Sequence, residues 1–569
     1  MSLPPPPPPS LAAKSFFSIP ELVELVCSFL TSNQIFMLAL TNKSLYKIAA
    51  PSLWRNVDLD ADNCVEMLYR PEGRTLLSTV AGCIEFNKIR SLKAGFAFMS
   101  YYLHGVRQHL DEDCTSQQDI PPSEWIPAHQ VTAPLPLIKK LNRLDVSLLH
   151  QWFSGTFFAG LNNAPPLAPR LLAFMNLNAK HLTSVTLQHF SIANLIDIRR
   201  LCSTIRSMSF LAHLAIDHLA NGNDLPPFSV IKALFFSCPT SLVSFSMMAT
   251  VRNDKGLENE EYFRTPQERS GPFTNLKYLK LPQHNTGYVF KQLNLILNQC
   301  PALEEWVNIP SSLNRPGEPM QPGGGRLTCP PTLLDLSTHP VRNCKGEAVA
   351  VIMDSIKKNK LKSLDFHLFE DTPPIKSDQH APFFRSLLMH ANSLVSISLV
   401  DINWIHSKSI KSVLTTCTAL RTLVFASSNT MLSFITLEDA TTSPWACTGL
   451  KELRLIINLS RGCDNEYSLL NKFYTQIGTL ENLEVLDLMS ACRNRNVSKS
   501  YTETTMTCML ALHNDATKRQ GFLQSLAKLK EMSSMVGEAE VSWILENWPR
   551  LETIEFISEM ERRLGPKYP

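Results

Sequence analysis

The apolar positions of this chain follow one rule over most of its length. From about residue 84 the unit Leu-x-x-Leu-x-Leu recurs, with conservative apolar replacements. Clear copies are "LNRLDV" at 141, "LTSVTL" at 182, "LAHLAI" at 211, "LVSFSM" at 242 and "LKYLKL" at 276. Six more follow: "LKSLDF" at 361, "LVSISL" at 394, "LRTLVF" at 420, "LKELRL" at 450, "LEVLDL" at 483 and "LETIEF" at 551. Weaker copies stand at 89, 303 and 333, and between 182 and 483 the spacing holds at 26 to 34 residues. Alternation over the last three positions of each copy predicts a short strand with one buried face. Upstream, "VIKALFFSCPTSL", "KQLNLILNQCPAL" and "KSVLTTCTAL" carry helical spacing that ends in a turn. Each unit therefore reads helix, tight turn, strand. Such a unit cannot cover its own apolar stripe, so neighbours must stack and bury it for one another.

A different pattern precedes the repeats. In "SIPELVELVCSFL" the residues Leu22, Leu25, Val26 and Phe29 fall on one helical stripe, and Val23 and Leu30 widen it. "NQIFMLAL" follows the potential caps Thr31 and Ser32, and "KSLYKIAA" is stopped by Pro51. Trp54 then leads into the alternating Val57 and Leu59. Three short helices in roughly 40 residues make a poor independent core. The block carries more apolar surface than it can bury alone.

Punctuation divides the chain into a Pro-rich, disordered leader at 1–14, a helical domain at 15–60, a linker with a first irregular repeat at 61–140, and a repeat domain at 141–569. The rhythm is interrupted at 100–136 and near 251–272, 310–327 and 491–520, which read as loops ejected from the repeat surface.

Composition narrows the class. With 54 Lys+Arg against 51 Asp+Glu the net charge is only +3, which argues against a nucleic-acid partner, since phosphate binding needs a concentrated positive field. The 14 cysteines show no CxxC and no zinc spacing. Several occur just before a strand, as in "SCPTSL", "QCPAL", "TCTAL" and "ACTGL", where a thiol fills core space. That usage fits a reducing compartment. No basic segment leads into an apolar run as in a signal peptide, and no stretch approaches a membrane span. Cytoplasm or nucleus is the expected location, with no membrane partner.

The N-terminal segment "IPELVELVCSFLTSNQIFMLALTNKSLYKIAAPSLWRNVDL" resembles an F-box. The likeness rests on Ile19, Pro20 and Glu21, on the apolar Leu22, Leu25, Val26, Phe29, Leu30, Ile35, Leu38 and Leu40, and on the closing Pro51, Leu53, Trp54 and Arg55. The downstream units resemble leucine-rich repeats of the helical, cysteine-containing type. The fold class expected is α/β: a three-helix F-box-like block followed by a leucine-rich-repeat solenoid, with a curved parallel sheet inside and helices outside. The usual Cys-Lys-x-Trp segment of the family is replaced here by "TNKSLYK".

What the resemblance implies is a substrate receptor of a Skp–cullin–F-box ubiquitin ligase. Its helices would dock on a Skp-type adaptor, and through it on a cullin–RING ligase, while the repeats hold a protein substrate. Pro20, Leu22, Leu25, Ile35 and Leu38 are the adaptor contacts carried over by motif position. The alternative is a repeat-based interaction scaffold in which the helical block is only a solenoid cap.

Between the apolar positions of each strand lie the residues of the open face. They include Arg143 and Asp145, His213 and Asp217, Tyr278 and Lys280, Asp365 and His367, Glu452 and Arg454, Asp487 and Glu555. The first eleven are the candidate substrate contacts. His213/Asp217 and Asp365/His367 invite a catalytic reading, but no nucleophile, oxyanion donor or third metal ligand accompanies them at recognisable spacing. "PGGGR" at 322–326 follows no strand and opens no helix, so it is no phosphate loop. No catalytic residue, metal site or cofactor is expected.

Overall fold

The computed structural model describes residues 19–59 (apart from 28, 31, 42 and 54), 88–95, 99, 102–103, 137–147, 168–188, 195–217, 228–248, 271–282 and 290–307. It further describes 327–337, 346–367, 381–426 (apart from 401, 403 and 404), 434–458, 466–490, 531–533 and 553–555. The expected leader, Trp54, most of the 61–140 linker and nearly all of the three loop insertions lie outside these residues. The chain divides into two compact units, Met1–Leu276 and Lys277–Pro569.

The first unit begins with three helices, α1 (Pro20–Cys27), α2 (Ser32–Thr41) and α3 (Lys43–Leu53). Pro20 and Glu21 suit a helix start, where a missing N–H costs nothing and a carboxylate meets the positive end of the dipole. Arg55 turns the chain into β1 (Asn56–Leu59), which pairs in parallel with β2 (Ser91–Gly95). The order continues β3 (Arg143–Ser147), α4 (Ala168–Leu177), β4 (Ser184–Gln188), α5 (Leu195–Ser207), β5 (His213–Asp217), α6 (Phe228–Ser237) and β6 (Ser244–Met248). Each strand pairs in parallel with its predecessor.

The second unit repeats the scheme. It contains β7 (Tyr278–Lys280), α7 (Phe290–Leu297), β8 (Glu305–Val307), β9 (Asp335–Ser337), α8 (Gly346–Ser355), β10 (Ser363–His367), α9 (Ala381–Leu388), β11 (Ser396–Val400) and α10 (Ser407–Thr416). Then come β12 (Thr422–Ala426), β13 (Ile435–Thr436), α11 (Leu437–Thr441), β14 (Glu452–Asn458), α12 (Glu466–Gly478), β15 (Val485–Ser490), β16 (Glu531–Ser533) and β17 (Thr553–Glu555). Pairing is parallel and sequential, except that β12 lies beside β14 and the short β13 joins the far end of β14. Every Leu-x-x-Leu-x-Leu copy becomes a strand that opens two residues into the motif. The architecture is a repeat solenoid of parallel strands and return helices.

The register puts like with like. Val57, Leu92, Leu144, Val185, Leu214 and Phe245 form one buried row across the first unit. Leu364, Ile397, Leu423, Leu453 and Leu486 form its counterpart in the second. Helices cover these rows through spacings such as Ile410, Val413 and Leu414 on α10. Ring contacts join the layers: Phe235 of α6 lies 5.2 Å from Phe245 of β6, and Phe366 of β10 lies 6.1 Å from Phe383 of α9.

A backbone device fixes the stacking. The carbonyl just before most of the described strands accepts two N–H groups from the next repeat. The Asn142 oxygen takes those of Thr183 (2.8 Å) and Ser184 (3.1 Å), and the Lys362 oxygen those of Val395 (2.7 Å) and Ser396 (3.0 Å). Asn178 does the same work with a side chain. Fully buried, it donates to Ile138 O (3.0 Å) and Phe174 O (3.1 Å) and accepts from Leu141 N (3.1 Å). Asn178→Ala should destabilise the first unit by about 1–3 kcal/mol, because the Leu141 N–H stays buried without its acceptor. Denaturant titration of the two chains checks this.

The thiols of the described residues are core material. Cys238 and Cys300 donate to carbonyls four residues back at 3.4 and 3.2 Å. Burial pushes Cys417 and Cys447 up to about 12 and Cys329 up to about 11, which leaves them without thiolate character. Among the described residues no helix is long and apolar enough to cross a membrane.

Candidate protein-interaction surfaces

The helical block shows how α1 is oriented. Its buried residues are Val23 and Cys27, which join Ile35 and Ala39 of α2 and Leu45 and Ala49 of α3 in one small core. Leu30, Leu38 and Ile48 pack on its margin. Leu25, Phe29, Met37 and Leu40 are 56%, 81%, 63% and 61% exposed, and Ile19 and Tyr46 are also exposed. The Leu22–Leu25–Val26–Phe29 stripe is thus not the inward face. Val23 and Cys27 form that face, and the helix is turned so that its larger apolar side chains stand outside.

The five residues expected to meet an adaptor therefore separate. Pro20 and Leu25 are exposed, and Leu22 and Leu38 are half-buried. Ile35 is 6% exposed and lies inside the block's own core. Phe29, Met37 and Leu40, which are not in that set, are also exposed apolar side chains. Their signal was present in the sequence as a surplus: three short helices hold more large apolar residues than six core positions can accept.

Next come the strand faces. In the first unit Arg143 and His213 are exposed. Asp145 is buried, accepting from Gln188 Nε2 at 3.4 Å, and Asp217 accepts from Ser246 Oγ at 3.3 Å. His213 and Asp217 open and close the same strand, about 13 Å apart, and share no proton. Lys93 and Asp58 form an exposed ion pair at 3.4 Å.

In the second unit Tyr278, Lys280, Asp365, His367, Glu452, Arg454 and Asp487 are half-buried on the strand face. His367 Nε2 is 3.0 Å from Asp365 Oδ1. Arg454 Nε donates to Glu452 Oε1 at 2.8 Å and its Nη1 lies 4.0 Å from Asp487 Oδ2, so this arginine is already engaged. Glu555 is in β17, outside the residues whose side chains are described. Arg454→Ala should change stability by no more than about 1 kcal/mol, since a part-exposed pair is screened. A denaturant midpoint shifted further would make the Glu452–Arg454–Asp487 group a structural network.

Glu305 and Asp335 sit opposite one another on β8 and β9. Burial, and secondly the Asp335 charge, raise the Glu305 carboxyl above its ordinary value. Asp335 is also raised, by burial first; Lys362 opposes that shift and Glu304 adds to it. Among the described residues no group of three or more His, Cys, Asp or Glu side chains could hold a metal ion.

Set beside known proteins, the chain matches no family model and no curated protein. The fold itself defines the class. Ordered strand faces, polar and part-exposed over a mainly apolar core, suit a repeat solenoid of the protein–protein interaction kind.

Proposed function

We propose that this chain is a non-enzymatic substrate-recognition subunit of a Skp–cullin–F-box ubiquitin ligase. The helical block docks on a Skp-type adaptor, the adaptor links it to a cullin–RING scaffold, and the strand faces hold a protein substrate. No side chain of the chain performs chemistry in this reading. Its contribution is to raise the local concentration of substrate lysines around a charged thioester. Cytoplasm or nucleus is the compartment in which it acts.

One observation carries the reading. A block of three helices closes a small core of Val23, Cys27, Ile35, Ala39, Leu45 and Ala49 and leaves Leu25, Phe29, Met37 and Leu40 outside. Apolar side chains collected on one small block support a helix-in-groove partner. The F-box resemblance of the same segment names the partner class.

A second reading has its own support. The block runs directly into β1, and the Arg55 carbonyl accepts from Arg90 N and Ser91 N, both at 2.9 Å, as carbonyls between repeats do. It can therefore serve as the solenoid's cap in an interaction scaffold. Co-expression of the full chain with a Skp-type adaptor, followed by size-exclusion chromatography, separates the two. A stoichiometric complex that residues 65–569 fail to form supports the receptor. A folded chain that elutes without the adaptor leaves the cap reading.

A further inference from the structure

Most repeats close the turn before their strand with their own backbone. Leu211 N–H donates to Met208 O (3.2 Å), Leu303 to Cys300 O (3.1 Å), Leu420 to Cys417 O (3.4 Å) and Leu483 to Leu480 O (3.0 Å). Two leucines have a different acceptor, supplied by a side chain of the following repeat. Leu141 N donates to Asn178 Oδ1 at 3.1 Å, and Leu361 N donates to His390 Nδ1 at 3.4 Å. The turn from Ile356 to Leu361 is the longer of these connections, and Asn359 within it has a φ of 56°. A left-handed asparagine leads the chain away from its own carbonyls. The next repeat holds this turn in place: Asn359 N donates to Met389 O (3.3 Å) and Ser393 Oγ to Leu361 O (2.7 Å).

His390 is fully buried and both its ring nitrogens are occupied. Nε2 lies 3.2 Å from Met353 O, a group that can only accept, so Nε2 carries the proton. Nδ1 accepts from Leu361 and must be bare. A second proton on the ring would set donor against donor at Leu361. We propose that His390 is an acid-sensitive clamp: neutral, it holds the 356–361 turn between α8 and α9, and protonated it lets that turn go. Asn178 performs the same duty in the first unit with a group that does not titrate.

The surrounding charges do not reverse the direction. Burial holds the His390 ring below its ordinary 6.5, while the Met353 carbonyl and the Asp354 carboxylate act in the opposite sense. Lys357, Lys358, Lys360 and Lys362 around the turn, Arg385 on α9 and Lys408 and Lys411 on α10 are the described cations of the packed elements, and like charge disfavours imidazolium. With a depressed folded value, the clamp's stabilisation is complete above the unfolded value of 6.5 and is lost as pH falls below it.

Hydrogen exchange of the full chain, followed by mass spectrometry at about pH 7.5 and about pH 5.5 and corrected for intrinsic rates, tests this. Opening of 353–367 should rise at the lower pH by up to about tenfold relative to 137–147, the segment clamped by Asn178. His390→Asn should remove that rise. If the two segments of the wild-type chain respond in parallel, or if His390→Asn responds as wild type does, the clamp is overturned. The wild-type comparison decides alone should the variant fail to fold.

Discussion

A chain carrying Leu25→Asp and Met37→Asp should fold like wild type and no longer co-elute with a Skp-type adaptor. Both side chains are more than half exposed, so charging them removes nothing from the core of Val23, Cys27, Ile35, Ala39, Leu45 and Ala49. Buried in an interface, each would instead desolvate a carboxylate. A large apolar anchor typically accounts for about 2 kcal/mol or more of binding, and two give roughly a thousandfold loss. Ile35→Asp makes the informative contrast. It places a charge inside the helical block and should unfold it, visible as lost helicity. Equal adaptor binding by the Leu25/Met37 variant would mean that this apolar face is not the docking surface, and the cap reading would take its place.

Phe235→Ala should destabilise the first unit by about 3–5 kcal/mol. Phe235 is fully buried and its ring lies 5.5 Å from Phe236, 5.2 Å from Phe245 and 4.6 Å from Phe273. It joins the return helix α6, the strand β6 and the segment after β6, so truncation opens a cavity where three pieces of chain meet. Phe235→Leu, which keeps most of the volume, should cost less than about 1.5 kcal/mol. Denaturant unfolding of the three chains measures both values. A loss below about 1 kcal/mol for the alanine variant would mean that the repeat collapses around the vacancy.

Much of the fold could be read in advance because each repeat states its own period. The motif at 303, "LEEWVN", has Trp where leucine is expected and still becomes β8, since only burial at that position matters. β13 and β16 were not foreseen. Both are very short, and their sequences carry no full copy of the motif. The helical block was legible as three helices, but which side of each helix turns inward could not be read from its apolar positions. An apolar stripe reports amphipathicity only when a single face is buried. In α1 both faces are apolar, so packing chose the narrower Val23–Cys27 face, where helices approach closely. Ile35, assigned to the adaptor by motif position, packs in the block's own core. The adaptor face, if used as proposed, was visible as excess apolar residues before any of them could be assigned. His390 gave no sequence signal at all. Its role comes from a partner 29 residues away and from a turn whose length only the folded chain displays.

The doubly accepting carbonyls also explain where this protein can afford to vary. They lie on the edge where strands begin, and among the described residues most connections from helix to strand there are short and closed by hydrogen bonds. The connections of unequal length, such as 148–167, 218–227, 308–326 and 368–380, all leave from the opposite edge, where strands end. One margin of the repeats is thus held rung by rung by these hydrogen bonds. The other is an open seam, into which new segments can be spliced without disturbing a single rung.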